Sequence, residues 1–277
     1  MISLMINAKP FTSRVFLPCL LTSLVCLGLP GRGDEISEKG REVMKTHQSA
    51  VVTIQLVVKS KWSQPGRGAQ SSEFKKDVTG AVVDPSGLTV VSLADIDPSE
   101  MYEGEDRGGF KLETELGEMK ILMEDGSEVP TEVVLRDKDL DLAFMRPKAK
   151  PATPMAAVDL ANSGSAQLLD QVITINRLGQ AANRAFAASI ERICGIIQKP
   201  RLFYLPDSTM TASTLGCPAF TMDGKTLGIF VLRSLKSHGS ANQERGNATT
   251  VILPAEAVLK AAKQAPEASE ESKEEKK

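Results

Sequence analysis

Aromatic residues are scarce in this 277-residue chain: one Trp, two Tyr and nine Phe make up 4% of it. A core without many large rings has to be filled by Val, Ile, Leu and Ala, and 21 glycines with 15 prolines interrupt the chain too often for long helices. Both point to many short strands between turns. An excess of one charge is missing as well. Lys and Arg number 33 against 35 for Asp and Glu, with no long basic run in the body, so nothing would recruit nucleic acid or an anionic membrane surface electrostatically. Histidine is reduced to two residues, His47 and His238. No metal-ligand spacing, glycine-rich phosphate loop or cofactor motif occurs, and the expectation is a protein with no metal and no cofactor.

Acidic residues are absent from the first 33 positions, which carry Lys9 and Arg14 and then run apolar over 15–29 before Pro30-Gly31-Arg32-Gly33. This is a secretory signal pattern, predicted as residues 1–33, and it places the protein outside the cytoplasm, in the cell envelope or medium. The apolar run is shorter than the roughly 20 residues of a spanning helix and contains Pro18, which favours a cleaved leader over an anchor. Cysteine is equally sparse. Two of the four, Cys19 and Cys26, lie in the leader, leaving Cys194 and Cys217 as one possible disulfide or two thiols.

Along the body, 36–46 has helical character and 50–58 is a β-branched strand. The segment 66–76 is polar and reads as a loop. Two apolar runs, 80–83 and 88–91, flank Asp84-Pro85-Ser86-Gly87, a hairpin signal. A polar stretch over 98–117 reads as an insertion loop. Strands are then expected at 119–123, 132–135 and 142–145. A Pro- and Ala-rich connection at 148–154 divides the body into halves of 34–150 and 151–263. Further strands are expected at 171–175, 185–197, 201–205, 219–222, 226–232 and 249–253. A C-terminal helix opens on Pro254, and 264–277 is a charged tail without apolar anchors, expected to be disordered. Short strands in regular succession indicate an all-β barrel or sandwich.

Four collinear stretches then narrow the choice: GAVVDPSGLTVVSLA (80–94), DGSEVPTEVVLRDKDLDLA (125–143), the run 207–228 containing STLGCP (213–218), and VILPAEAV (251–258). Together they resemble the protease domain of the Deg/HtrA family, a branch of the trypsin-like serine proteases. The resemblance covers roughly 51–262 and implies two six-stranded β-barrels with a C-terminal helix. It leaves too little chain after that helix for the PDZ domain that commonly follows in the family.

Carried over residue by residue, the resemblance puts the family's catalytic aspartate on Asp141, its histidine on Ala94 and its nucleophilic serine on Leu215. The loop that presents the nucleophile becomes Ser213, Thr214, Gly216, Cys217 and Pro218 around Leu215. Serine attack needs a base to take the hydroxyl proton and a group to orient that base. Alanine accepts no proton and leucine has none to give. His47 reads as a surface residue before the first strand and His238 as part of a polar loop at 234–247. Cys217 could be imagined as a thiol nucleophile, but without a placed histidine its thiolate is not favoured at neutral pH, which leaves a core or disulfide cysteine. Asp141 should be exposed or paired with hydroxyls such as Ser92, because a buried lone carboxylate is expensive.

The function expected from these residues is that of an inactive protease-like scaffold binding a polypeptide or another protein, with no nucleic acid and no small-molecule cofactor. The alternatives are an active endopeptidase with an unusual site and a structural component of the cell envelope.

Overall fold

A computed structural model describes residues 32–64, 66–99, 111–207, 214–234 and 248–267. The leader, Ser213, His238 and most of the charged tail lie outside the described residues. Twelve strands form two closed antiparallel barrels, ordered β1-β2-β3-β6-β5-β4 and β10-β11-β12-β9-β8-β7. The first comprises β1 (Val51–Gln64), β2 (Arg67–Asp84), β3 (Leu88–Ser92), β4 (Lys111–Leu122), β5 (Glu128–Asp137) and β6 (Leu142–Pro147). The second comprises β7 (Gln171–Arg177), β8 (Phe186–Ile197), β9 (Phe203–Pro206), β10 (Pro218–Thr221), β11 (Thr226–Ser234) and β12 (Ala248–Pro254). Helix α1 (Arg32–His47) precedes the first barrel, the single turn α2 (Leu93–Ile96) follows β3, and α3 (Ala255–Ala262) follows β12. This is the chymotrypsin-like fold. Among the described residues no helix is long and apolar enough to cross a membrane.

The uninterrupted apolar runs explain how the barrels pack. Alternate residues of one strand enter different cores: Ala143 and Met145 of β6 fill the first barrel with Ile54, Leu56 and Ile121, while Leu142 and Phe144 point outward. Val172 of β7 and Ile252 of β12 fill the second barrel around Phe230, whereas Ile173 and Leu253 point outward. The outward residues meet in one cluster shared by both barrels, α1 and α3, which includes Val43, Phe144, Phe220 and Val258. Strands buried on both faces need no polar alternation, and each such Val, Leu, Ile or Phe contributes roughly 1.5–3 kcal/mol on burial.

Helix α1 crosses the outside of the second barrel. Phe220, Ile173 and Ile190 form a cross-strand row on β10, β7 and β8. At one end of the row His47 stacks on Phe220 with ring centroids 4.2 Å apart, and at the other Gly40 lies against Ile173 and Ile190. His47 Nε2 donates to the Gly224 carbonyl at 3.1 Å, and burial lowers its pKa. His47 is therefore not the surface residue its position before β1 suggested. It is half-buried and holds α1 to the β10–β11 turn.

Two polar segments also differ from expectation. Apart from Gly66 in the β1–β2 turn, the stretch 66–76 is part of β2 and not a loop, and 111–117 belongs to β4. Both are ordered by pairing with β1, which runs on to Gln64 and holds β2 on one side and β4 on the other. Ladder hydrogen bonds to a central strand hold a segment extended whatever its polarity. Residues 57–64, 67–76 and 111–118 thus make a three-stranded arm that continues past the barrel.

Candidate functional site

Asp141 stands where β5 turns into β6, at the junction of the barrels. Its backbone is left-handed, with φ of 56°, a conformation that aspartate tolerates better than most residues. The turn is set by Asp137, whose Oδ1 accepts the Leu140 N–H at 3.0 Å. The Asp141 carboxylate accepts three hydrogen bonds. Ser92 Oγ donates to Oδ2 at 2.6 Å, the Ala94 N–H donates to Oδ1 at 2.7 Å, and the Leu232 N–H of β11 donates to Oδ2 at 2.6 Å. Two donors come from the first barrel and one from the second. The carboxyl is nonetheless pushed up to about 6, because desolvation outweighs these donors and Asp95 adds a like charge nearby.

Ala94 lies in α2 and contributes only its N–H and a methyl group. Next to it, Asp95 is buried, and the Lys76 ammonium meets it twice, at 2.6 Å from Oδ1 and 2.5 Å from the backbone oxygen. Burial raises the Asp95 pKa against the pull of Lys76. This pair was not anticipated from the sequence. Its one signal was an acidic residue inside the otherwise apolar Leu93-Ala94-Asp95-Ile96.

Leu215 is buried, in the turn between Thr214 and Gly216. The turn is anchored to β11: the Gly216 N–H donates to the Phe230 carbonyl at 2.8 Å and the Phe230 N–H to the Cys217 carbonyl at 2.9 Å. Gly216 has φ of 79°, and a β-carbon there would lie 2.4 Å from the Thr79 oxygen and 3.3 Å from the Ser92 nitrogen. Only glycine fits so close a backbone approach. The contact brings the Leu215 turn against the Ser92–Ala94 segment, so Asp141, Ala94 and Leu215 converge on one seam. Thr214, Gly216, Cys217 and Pro218 follow the same path, and Ser213 lies outside the described residues.

Cys217 is fully buried within the second barrel, and burial pushes its thiol far up. Cys194 is exposed on β8 and neither cysteine is in a disulfide, so the possible pair is not formed. Among the described residues no group of three His, Cys, Asp or Glu side chains is placed to hold a metal ion. A hollow of about 460 Å³ opens elsewhere on the second barrel, between Ser163, Asp170, Thr221 and Lys225, and includes none of the seam residues.

Contacts across the seam hold the barrels in register. Thr79 Oγ1 donates to the Arg177 carbonyl at 3.2 Å, and Arg184 Nε meets Asp77 Oδ2 at 2.7 Å. Two six-stranded barrels, a carboxylate at their junction and the tight turn before β10 packed against the same seam make up the chymotrypsin-like architecture.

A solved structure agrees on that fold. The crystal structure of Deg5 aligns with 81% of this chain and 92% of its own length, with a TM-score of 0.51 at 14% identity. The apo crystal structure of the MamO protease domain from Magnetospirillum magneticum aligns with 78% of this chain and 96% of its own, with a TM-score of 0.46 at 14% identity. Neither a protein-family model nor a curated protein sequence matches the chain.

Proposed function

We propose that this chain is an exported trypsin-like protein that does not cleave peptides and instead binds extended polypeptide along the edge of β11. The observation carrying the proposal is how the Asp141 carboxylate is used. Both its oxygens are occupied by Ser92, Ala94 and Leu232, where a protease would present them to an imidazole. Ala94 supplies no base and the buried Leu215 side chain supplies no nucleophile. Loss of a base or nucleophile in such a mechanism removes about 10⁶-fold in turnover, a magnitude taken from another serine protease.

Peptide binding needs none of these groups. Strand β10 pairs with β11 only as far as Pro218↔Ile229, while β11 continues to Ser234 with β12 on its other side. Past Leu232 the free side of β11 carries no strand among the described residues, and such an edge accepts a peptide through backbone hydrogen bonds.

The test has two arms. Purified protein is exposed to a serine-reactive phosphonate and to casein, with neither labelling nor cleavage expected. Extended peptides from an immobilised library are then expected to bind wild type, and to bind less well when Ser234, at the end of β11 beyond the Leu232 contact to Asp141, is replaced by Pro. Cleavage that survives rigorous purification and disappears in Asp141→Ala would overturn the reading in favour of an active peptidase. Absence of peptide binding would favour a structural role in the envelope.

A further inference from the structure

The free side of β11 begins at the Asp141 carboxylate. Successive residues of a strand aim their backbone groups to alternate sides, so Phe230, Leu232 and Ser234 face the same way. Phe230 is engaged by the turn before β10: its N–H donates to the Cys217 carbonyl at 2.9 Å, and its carbonyl accepts from the Gly216 N–H at 2.8 Å. Leu232 comes next on that side. Its N–H donates at 2.6 Å to Asp141 Oδ2, so a carboxylate stands where the ladder would otherwise continue with a strand. Beyond it, Ser234 ends β11.

An extended peptide laid antiparallel along this edge meets a mismatch at its first rung. The peptide residue opposite Leu232 can give its N–H to the Leu232 carbonyl, but its own carbonyl calls for the Leu232 N–H, which Asp141 holds. An ionised carboxylate has acceptors only, so carbonyl oxygen faces carboxylate oxygen; protonation supplies an O–H that can donate to the peptide. Asp141 is part-buried in the free protein, and a peptide over the seam removes water from it, which again disfavours the charged form. Its neighbours do not offset this. Ser92 and the Ala94 N–H are neutral donors already in place, and Asp95 of α2 adds a like charge whose counter-ion, Lys76 of β2, is bound to Asp95 itself. From the second barrel come the apolar Leu215 and the buried Cys217, while the Arg233 guanidinium lies over the Phe203 ring, 5.0 Å from its centroid.

We propose, on the reading that β11 is the peptide edge, that binding of peptide there is coupled to uptake of a proton by Asp141, so that the protein holds extended peptide more tightly in acid than in neutral solution. The carboxylate then acts as a proton-operated first rung of the added strand. In the free protein the carboxyl titrates at about 6, and a complex that favours the protonated form raises it further. Affinity should therefore be level below that pH and fall as the pH rises above it, on the order of tenfold by about pH 8.

Titration calorimetry of the full chain tests this, with acetylated and amidated extended peptides that contain no Asp, Glu or His. Run at about pH 6.5 in two buffers of different ionisation enthalpy, it counts protons; run at about pH 5 and about pH 8, it gives the affinity profile. Wild type is expected to take up part of a proton on binding and to bind more tightly in acid. Asp141→Asn, whose side-chain amide carries donors at every pH, should bind without proton uptake and with an affinity level across the range. The two histidines of the chain titrate in the same window, so His47→Phe and His238→Gln serve as controls, and both should keep the uptake. Uptake that survives Asp141→Asn, or that vanishes in a histidine variant, would overturn the proposal. Binding indifferent to pH would do the same while leaving the peptide edge standing, whereas peptides that bind at neither pH would remove the edge and the coupling together. If Asp141→Asn does not fold, the proton count of wild type beside the two histidine variants decides between these outcomes.

Discussion

Replacing Asp141 by Asn should change how stability depends on pH more than it changes stability at any one pH. The carboxyl is raised from 3.8 to about 6 in the fold, mainly by desolvation. The raised value means that the folded state holds its proton over a window where the unfolded chain has released it. Stability from this group is therefore fully present below pH 3.8 and is lost as pH rises through about 6. Each unit is worth about 1.4 kcal/mol, so some two units amount to about 3 kcal/mol between mildly acidic and neutral solution. Asn does not titrate. It also keeps the left-handed backbone at 141, but its amide cannot accept from Ser92, Ala94 and Leu232 together, and leaving one of them unpaired costs about 1–3 kcal/mol. The variant should be clearly less stable than wild type near pH 4.5 and should close most of that gap, or overtake, by pH 8. Urea unfolding followed by circular dichroism at several pH values gives the difference directly. Using the difference also cancels His47, whose lowered pKa works the other way by removing stability as the pH falls through its ordinary range near 6.5. Wild-type and variant stabilities that run parallel from pH 4.5 to 8 would refute the reasoning.

Gly216→Ala should destabilise by more than 2 kcal/mol, since the new methyl meets the Thr79 carbonyl and φ is positive; a urea midpoint within error of wild type would contradict the geometry. Iodoacetamide followed by mass spectrometry should label Cys194 in the folded protein and Cys217 only after denaturation, because one thiol is exposed and the other buried. The pair Ala94→His with Leu215→Ser should gain no casein hydrolysis. Ser213 and Cys217 stand where the resembled family has glycines, and one misplaced oxyanion donor already costs about 10²- to 10³-fold. Adding Ser213→Gly and Cys217→Gly to that pair separates a loop defect from a deeper one.

Legibility in the sequence followed burial. Strands such as Leu88–Ser92 and Leu142–Pro147 are apolar on consecutive residues because both faces meet a core, and their runs stand out without structural help. The arm did not stand out. Residues 67–76 are Arg, Gly, Ala, Gln, Ser, Glu, Phe and Lys, and what keeps them extended is the ladder to β1, which no local pattern announces. The seam shows the same division. The family resemblance carried by the stretches around Gly80, Asp125 and Pro218 was enough to nominate Asp141, Ala94 and Leu215. That the Leu232 N–H would take up a carboxylate oxygen 91 positions away depends on the docking of two barrels. Likewise Asp95 looked like one more acidic residue until β2 brought Lys76 to it, and His47 looked peripheral until β10 brought Phe220 beneath it.

The packing of α1 sets an order of events for a chain made from its N-terminus. The helix comprises residues 32–47, yet Val43 and His47 rest on Phe220 and Gly224, more than 170 positions later. Until β7, β8 and β10 have all emerged, the surface this helix covers is incomplete, and its half-apolar side must wait in solution. The barrel that forms last is thus capped by the helix that is made first, and a contact of such long sequence separation closes late. Proteolytic trimming of the chain through His47 would take away that cap and leave Ile173 and Phe220 facing water.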